Sequence, residues 1–315
     1  MDIFADVLKH NHKQMRGAVI RAAFQLGLFQ LLEQTSEKTG CNLNDLAANL
    51  GLQPRRLRPL LDVLAAEGFL SSSSSEGVGH VELVDLPDHS DVSAGDWDRI
   101  AEVLSSDQPL ELDDDWLEGH LQYVAGKGSL AAPILWKAID PKPGARLLDV
   151  GGGLGAYSLA FLDHHPDNRT TLVDFPETLS LLENAAADLP QGLEMRCGDA
   201  RKPLPGSGYD VVLLANVLHL YGTPDCAAIV RRAADAAADG GAVVVKEVLV
   251  LPDRTGPLVG LYFALNMALF TEAGDVHPAP AIVTWMQESG ITNVRSLQIP
   301  GLDGSTVVLG ERSES

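Results

Sequence analysis

The sequence is poor in cysteine and in basic side chains. Its 315 residues include three cysteines, Cys41, Cys197 and Cys226, an odd number with no informative spacing. This usage favours a reduced compartment over a disulfide framework, and we expect a cytoplasmic protein. Lysine and arginine total 23 against 43 acidic residues, which gives a formal net charge of −20. That charge argues against nucleic-acid and anionic-membrane partners, because both are bound through clustered positive charge.

Long hydrophobic runs are also missing. No apolar stretch reaches the length that spans a membrane. The first six residues, Met-Asp-Ile-Phe-Ala-Asp, are acidic and have no apolar core, so we expect no signal peptide. A hydrophobic content of 45% is ordinary for a globular chain, and the length suffices for one large domain and a smaller one.

A glycine-rich stretch near the middle of the chain is its most informative feature. The apolar run Leu147–Val150 contains Asp149 and leads into Gly151-Gly152-Gly153-Leu154-Gly155. This order predicts a buried parallel strand, a tight turn and the first turn of a helix. Because glycine has no Cβ atom, a ligand can approach the backbone N–H groups of such a turn closely. Dinucleotides and S-adenosylmethionine both bind turns of this kind, so the turn alone leaves the two open.

Strand and helix patterns alternate from residue 145 onward. A helix at Cys226–Ala238 and a turn at Asp239–Gly241 precede the fifth strand. The alternation predicts an α/β fold, a Rossmann-like and mostly parallel seven-stranded sheet whose last two strands are antiparallel. The predicted strands are Arg146–Val150, Arg169–Val173, Leu193–Cys197, Tyr209–Leu214, Ala242–Val248, Val294–Gln298 and Thr306–Leu309.

The N-terminal part of the chain is predicted to be mainly helical. Apolar residues recur at helical spacing over residues 1–38. Residues 42–85 read as two short helices followed by a hairpin, which is the pattern of a winged helix. Arg55, Arg56 and Arg58 lie on the second helix and permit a DNA-binding interpretation. Dimerisation is favoured, because the surrounding charge is negative and the same fold serves that purpose equally.

Acidic residues follow three of the predicted strands and discriminate between the two ligand classes. Gly151, Gly153 and Ala156 fit the dinucleotide glycine pattern, and Asp174 follows at the distance of a ribose-binding acid. However, Asp149 and Asp199 place further carboxylates near the ligand, where they would repel a pyrophosphate. S-adenosylmethionine has no phosphate and is cationic at sulfur and amine. The pattern therefore favours S-adenosylmethionine over NAD.

Together these motifs resemble a known family. Residues 148–155, Leu172–Thr178, Gly198-Asp199 and Val217-Leu218-His219 look like those of class I methyltransferases of the small-molecule O-methyltransferase family. The resemblance implies a winged-helix dimerisation domain joined to a Rossmann-like domain, and hence a homodimer. It implies that the glycine turn holds the methionine part, Asp174 the ribose hydroxyls, and Asp199 with Ala200 the adenine. The expected cofactor-binding residues are Asp149, Gly151, Gly153, Gly155, Asp174, Phe175, Gly198, Asp199, Ala200 and Ala215.

This resemblance gives the predicted domain organisation. We expect a helical dimerisation domain at residues 1–88, a helical linker that contributes to the acceptor pocket at 89–140, and a cofactor-binding catalytic domain at 141–315. Within the linker, Trp116, His120 and Tyr123 fall on one helical face. A buried face between domains is the favoured interpretation, and a lining of the acceptor pocket is the alternative.

The acceptor site departs from the family pattern. His219 is placed to accept a proton from an acceptor hydroxyl as the methyl group transfers. The family has His-Asp-Trp where this chain has His219-Leu220-Tyr221, Ala264 replaces an aspartate, and His277 stands where a glutamate orients the base. Without a carboxylate partner, His219 would be a less well oriented base. The imidazoles of His219 and His277 could instead be two of the ligands of a metal ion.

Three functions follow from these substitutions. The first is O-methylation of a small molecule of secondary metabolism with His219 as general base. The second is metal-dependent C-methylation of a 2-oxo acid, with His219 and His277 holding a divalent metal ion that acidifies the neighbouring carbon. The third is a homologue that binds the cofactor without methylating. O-methylation is slightly favoured.

Overall fold

A computed structural model describes residues 3–35, 41–72, 81–83, 95–111, 114–185, 189–302 and 304–313. Residues 36–38, 73–80 and 84–88 of the predicted N-terminal elements lie outside these ranges. The chain forms two units. A helical unit comprises Phe4–Glu111 and Leu249–Pro278, and a sheet unit comprises Leu112–Val248 and Ala279–Ser315.

The helical unit contains the predicted helices and hairpin. Asn42 begins one helix because its side chain accepts the N–H of Asp45 at 2.9 Å, and Gly51 ends it with a φ of +68°. Pro54 opens the next helix, where a missing N–H costs nothing. The elements are α1 (Ile3–Gln25), α2 (Leu28–Thr35), α3 (Leu43–Leu50), α4 (Pro54–Ala66), β1 (Leu70–Ser72), β2 (Val81–Leu83) and α5 (Ile100–Ser106). Strands β1 and β2 pair antiparallel.

A later segment of the chain completes the helical unit. Residues 249–278, which the sequence places inside one continuous stretch from 141 to 315, cluster with the N-terminal helices. The helix α10 (Leu258–Phe270) is apolar on nearly every side and packs against α4. Leu261, Leu265 and Leu269 are fully buried in the resulting core. A helix that is apolar all round must be covered on all sides, which explains its position.

The arginines of α4 bind within the helical unit. Arg56 is 1% exposed, and its Nε donates to Asp107 at 2.8 Å. Its guanidinium also donates to the backbone oxygen of Ala268 in α10. Arg55 bonds to Asp107 as well, but its side chain is 46% exposed. Arg55 and Arg56 therefore tie α4 to its neighbours, a structural role for the basic cluster that the sequence left open.

The sheet unit has the predicted seven-stranded topology. Its strand order is β5-β4-β3-β6-β7-β9-β8; the first five strands pair parallel, and β9 pairs antiparallel with both β7 and β8. This confirms the predicted fold class. The strands are β3 (Arg146–Val150), β4 (Arg169–Asp174), β5 (Leu193–Cys197), β6 (Tyr209–Ala215), β7 (Ala237–Glu247), β8 (Ile291–Gln298) and β9 (Thr306–Arg312). The helices are α6 (Asp114–Ile139), α7 (Ala156–His164), α8 (Pro176–Ala185), α9 (Thr223–Ala236) and α11 (Ala279–Glu288).

One predicted turn is wrong. Residues 239–241 belong to β7, which begins at Ala237 rather than at Ala242. The pairing of β6 with β7 shifts register between Tyr209 and Val211, so the extra residues form a bulge. Gly241 is required there, since a Cβ atom would lie 2.7 Å from the backbone oxygen of Tyr209.

The sheet order determines where a ligand can bind. Strand β3 lies between β4 and β6, so the chain leaves β3 in one direction along the sheet and later returns on its other side. The loops at the carboxyl ends of β3, β4 and β6 meet at this switch point, which is the usual ligand position in open α/β sheets. Among the described helices, none is both long enough and apolar enough to span a membrane.

We expect Arg56→Ala to lower the free energy of unfolding by about 2–3 kcal/mol, because it leaves buried carbonyl oxygens without donors. Arg55→Ala is the matched control, since it removes a bond to the same Asp107 from an exposed position and should cost less than about 1 kcal/mol. Urea unfolding of the two variants measures the difference. Equal losses would show that burial of Arg56 does not matter.

Candidate functional site

The glycine turn after β3 has a backbone that only glycine adopts readily. Gly151, Gly153 and Gly155 have φ values of +69°, +56° and +77°. A Cβ atom on Gly151 would lie 2.8 Å from Val217, and one on Gly152 would lie 2.6 Å from Leu172. A Cβ atom on Gly153 would have no atom within 4 Å. The turn is therefore closely packed on its inner side and open at Gly153, as a ligand cradle requires.

Asp174 links this turn to the end of β4. Its Oδ2 accepts the N–H of Gly153 at 2.8 Å, and its Oδ1 accepts the N–H of Phe175 at 2.7 Å. An ionised carboxylate has about four acceptor positions, so each oxygen retains capacity for one more donor. Two hydroxyl groups of a ribose are donors of that kind.

Asp149 lies beneath the turn. It is 1% exposed, and its Oδ2 accepts the hydroxyl of Ser158 at 2.7 Å. Burial, opposed by hydrogen bonds from Ser158 and assisted by the charge of Asp174, raises the pKa of Asp149 to about 6. No cationic side chain is among the described groups that shift this pKa, and a positively charged ligand would favour the ionised form.

Asp199 carries an interaction that sequence reasoning missed. Both of its carboxylate oxygens accept hydrogen bonds from the Arg201 guanidinium at 2.8–3.1 Å, and Oδ1 also accepts the N–H of Arg201. The Arg201 bonds lower the pKa of Asp199. The guanidinium lies over the ring of Tyr221, 5.3 Å from its centroid. Arg201 thus neutralises much of the negative charge expected at this strand end.

The remaining residues of the expected cofactor set lie near the same sheet edge. The N–H of Gly198 donates to the backbone oxygen of Asp174, which joins the loops after β4 and β5. Phe175 is 43% exposed, whereas Ala200 is 7% exposed. Ala215 is the last residue of β6 and is half-buried.

His219 lies in a short 3-10 helix at Leu218–Leu220, after β6. Its Nδ1 is 2.7 Å from Oε2 of Glu247, the last residue of β7. The other oxygen of Glu247 accepts the N–H groups of Val217 and Leu218, each at 2.7 Å. Glu247 is 2% exposed and His219 is 9% exposed. The carboxylate thereby fixes both the imidazole and the backbone that carries it.

The expectation that His219 lacks a carboxylate partner is wrong. Sequence reasoning sought this partner after a later glycine pair and found His277, but Glu247 supplies it from the neighbouring strand. The signal was present, because Glu247 ends a buried strand at the same edge as the other acids. Lys246 beside it is fully buried and donates to Ser305 at 2.8 Å. The Lys-Glu pair is a weaker sequence signal of a functional acid than a glutamate without a neighbouring charge.

The 116–124 face of α6 is not the buried surface that the sequence favoured. Tyr123 is 45% exposed and His120 is also exposed. Trp116 and His120 stack with ring centroids 4.8 Å apart. Desolvation lowers the pKa of His120, and its electrostatic interactions with His219 and Lys127 act in the same direction. The interaction between His120 and His219 indicates that the N-terminal part of α6 lies near His219.

His277 and Ala264 belong to the helical unit. Both are buried, His277 at 7% exposure and Ala264 completely. Asp275, next but one to His277, is paired with the side chain of Arg254 at 3.1 Å. Arg254 also bonds to the buried Asp62. The carboxylate of Asp275 is therefore committed to a structural ion pair.

Comparison with known proteins identifies the class. A family model described as the O-methyltransferase domain matches residues 120–291, and one described as the O-methyltransferase dimerisation domain matches residues 8–86. The chain belongs to the O-methyltransferase family and is an S-adenosylmethionine-dependent methyltransferase.

Three relatives and one solved structure illustrate the range of this family. The chain is 27% identical to a 3-hydroxy-5-methyl-1-naphthoate 3-O-methyltransferase of Streptomyces sahachiroi, covering 93% of this chain and 91% of the relative. It is 26% identical to the tetracenomycin 8-O-methyltransferase of Streptomyces glaucescens, covering 92% and 91%. It is 26% identical to an L-tyrosine C(3)-methyltransferase of Streptomyces lavendulae, covering 82% and 78%. An O-methyltransferase family 2 protein of Planctomyces limnophilus has the same fold, with a TM-score of 0.75 at 24% identity over 99% and 96% of the two chains.

The residues present fit S-adenosylmethionine. The open position at Gly153 and the positive φ angles give a backbone cradle without side chains. Asp149 contributes a buried carboxylate with a raised pKa, and Asp174 retains acceptor capacity for hydroxyl groups. A cationic nucleoside without phosphates matches this set better than a dinucleotide does.

We expect Asp149→Asn to weaken S-adenosylmethionine binding by about tenfold at pH 8, because it removes one buried charge that attracts the cation. In the native protein, affinity should fall as the pH decreases through about 6, where Asp149 takes up a proton. The variant should lack this dependence. Calorimetric titration across pH 5–8 measures both effects, with Asp163→Asn on the exposed side of α7 as the control. A native affinity that does not change with pH would contradict the assignment.

Proposed function

We propose that this methyltransferase O-methylates a phenolic or enolic hydroxyl group of a small secondary metabolite, with His219 as the general base. The contact between His219 and Glu247 carries the proposal. It places an oriented imidazole just past β6, beside the glycine turn that packs on Val217. The naphthoate and tetracenomycin O-methyltransferases among the relatives support a hydroxyl acceptor.

Glu247 determines which nitrogen of His219 acts. As an acceptor, the Glu247 carboxylate holds a proton on Nδ1, so the lone pair of the neutral ring is on Nε2. Nε2 accepts the hydroxyl proton as the acceptor oxygen becomes nucleophilic, and Glu247 stabilises the resulting imidazolium. Bound S-adenosylmethionine supplies an electrophilic methyl group on a sulfonium. Asp149, Asp174 and the glycine turn are proposed to hold it, with Phe175, Gly198, Asp199, Ala200 and Ala215 completing the set.

Metal-dependent C-methylation of a 2-oxo acid is the second candidate. A C-methyltransferase among the relatives shows that the family includes carbon acceptors. The substitution of His277 for the usual glutamate motivates a divalent ion held by His219 and His277. The Glu247 contact favours His219 as a general base rather than as a metal ligand, because a carboxylate at Nδ1 orients the imidazole to accept a proton at Nε2.

We expect Glu247→Gln to reduce kcat at least 100-fold while the KM for the acceptor changes little. The glutamine oxygen must accept the N–H groups of Val217 and Leu218, so its NH₂ group faces Nδ1. The imidazole then carries its proton on Nε2 and cannot act as a base. Assays with a hydroxynaphthoate measure the rate, and ¹⁵N NMR of His219 reports the tautomer.

Three comparisons test this mechanism. His219→Ala should lose as much activity as Glu247→Gln, and the double variant should be no slower, since the two residues act as a unit. Glu311→Gln, at an exposed position of β9, is the control for charge removal. Chelator treatment should leave the rate unchanged. A rate that vanishes with chelator and returns with a divalent metal would favour C-methylation instead, and an unchanged tautomer in Glu247→Gln would refute the role of Glu247.

We also propose that the chain is a homodimer through its N-terminal helices. The match to the dimerisation domain over residues 8–86 supports this, as does the apolar content of the helical unit. Light scattering should give twice the mass of the chain at micromolar concentration. The mass of a single chain would contradict the proposal.

A further inference from the structure

A cluster of metal-binding side chains lies away from the proposed catalytic residues. It consists of Asp140, His164 and His165, and we call it the helix-end cluster. One ligand atom from each residue lies within 4.8 Å of the others. Asp140 directly follows α6, His164 is the last residue of α7, and His165 follows it in an extended conformation with φ −144° and ψ 132°. The cluster therefore brings together the ends of two adjacent helices.

The packing of α6 against α7 keeps these ends together. Trp136 of α6 is fully buried and contacts Phe161 of α7 edge to face, with ring centroids 5.0 Å apart. Its Nε1 donates to the backbone oxygen of Tyr157 at 2.8 Å. The N–H of Asp140 donates to the backbone oxygen of Trp136 at 2.8 Å, which fixes the chain as it leaves α6. The three ligands are thus carried on a rigid helix pair.

His164 carries an unsatisfied atom at the centre of the cluster. Its Nε2 is inaccessible to solvent and has no hydrogen-bond partner. The nearest carboxylate oxygen, Oδ1 of Asp140, is 3.6 Å away, which is too far for a hydrogen bond. Leaving a polar atom buried without a partner costs about 1–3 kcal/mol. A group that bonds to both atoms at once would remove this cost.

The spacing matches that of two ligands on one metal ion. With metal–ligand bonds of about 2.0–2.1 Å, neighbouring tetrahedral ligands lie about 3.4 Å apart. The separation of 3.6 Å between His164 and Asp140 is close to this value. The ring centroids of His164 and His165 are 4.6 Å apart, and one ring nitrogen of His165 lies within 4.8 Å of the ligand atoms of the other two residues.

The electrostatics of the cluster favour a cation. Helices α6 and α7 both end there, and the carboxyl end of each carries a partial negative charge. Asp140 adds a full negative charge, and the chain as a whole is strongly acidic. Two imidazoles and one carboxylate suit Zn²⁺, Ni²⁺ or Cu²⁺ rather than Mg²⁺ or Ca²⁺, which prefer oxygen ligands alone.

We propose that Asp140, His164 and His165 form a binding site for a divalent transition metal ion such as Zn²⁺. Water completes the coordination, so the ion is exchangeable. It joins the carboxyl ends of α6 and α7, and α7 begins at the glycine turn. The ion therefore stabilises the helix that supports the cofactor cradle without taking part in methyl transfer.

Zn²⁺ titration of the full-length, tag-free protein tests the site after chelator treatment and dialysis. We expect one Zn²⁺ per chain and a rise in Tm on binding, because the ion binds the folded state alone. His164→Gln, His165→Gln and Asp140→Asn should each weaken binding at least about tenfold. Co²⁺ substitution should give visible absorption bands that the His164→Gln/His165→Gln variant loses.

Two controls locate the ion. Asp163→Asn removes an adjacent exposed charge outside the cluster and should leave Zn²⁺ affinity unchanged. His219→Ala should also bind Zn²⁺ normally, whereas an ion held by His219 and His277 would be lost in that variant and kept in His164→Gln. Circular dichroism in chelator confirms that each variant is folded. No binding at millimolar Zn²⁺, or native affinity in the His164→Gln/His165→Gln variant, would overturn the proposal.

Discussion

The carboxylate of Glu247 is the constraint on which the proposed catalytic geometry depends. One oxygen binds two consecutive backbone N–H groups, of Val217 and Leu218, and the other binds the imidazole of His219. Val217 in turn packs against Gly151, so the backbone held by Glu247 also forms a wall of the glycine turn. A single buried side chain therefore couples the position of the proposed base to the shape of the cofactor cradle.

Buried charge is used differently in the two units. In the sheet unit, Glu247 accepts two backbone N–H groups and contacts His219, whereas Asp149 is bonded to Ser158 and has a raised pKa. The carboxylate whose pKa is raised by burial is the one best suited to attract a cationic ligand. In the helical unit, Arg56 and Arg254 are bonded to acids and carbonyl oxygens of the same unit. Their charges stabilise packing, which explains why a winged-helix-like element can be rich in arginine within an acidic protein.

Much of the fold was predictable because parallel sheets leave a strong sequence pattern. The strand Arg146–Val150 has the bounds that its apolar run predicted, since a central parallel strand is buried along most of its length. Leu193–Cys197 also has the predicted bounds, although it is an edge strand with exposed polar residues. The bounds of β7 were not predictable. Its bulge at residues 239–241 depends on pairing with β6, and Asp-Gly-Gly reads locally as a turn. The exposure of Tyr123 was also missed, because helical periodicity shows which residues share a face but not what covers that face.

The sequence by itself determined the class of ligand and the strand ends at which it is expected to bind. Acids and glycines that follow consecutive strands must meet at one edge of a parallel sheet. It also determined His219 as the candidate base. Only the tertiary structure decided what each group contacts. Glu247 meets His219 because β6 and β7 are neighbours, and Asp140 meets His164 because α6 packs on α7. Arg201 meets Asp199 within a single loop, two residues further along the chain. The first two contacts depend on the exact placement of residues far apart in sequence, and such placement leaves no local pattern for a sequence to show.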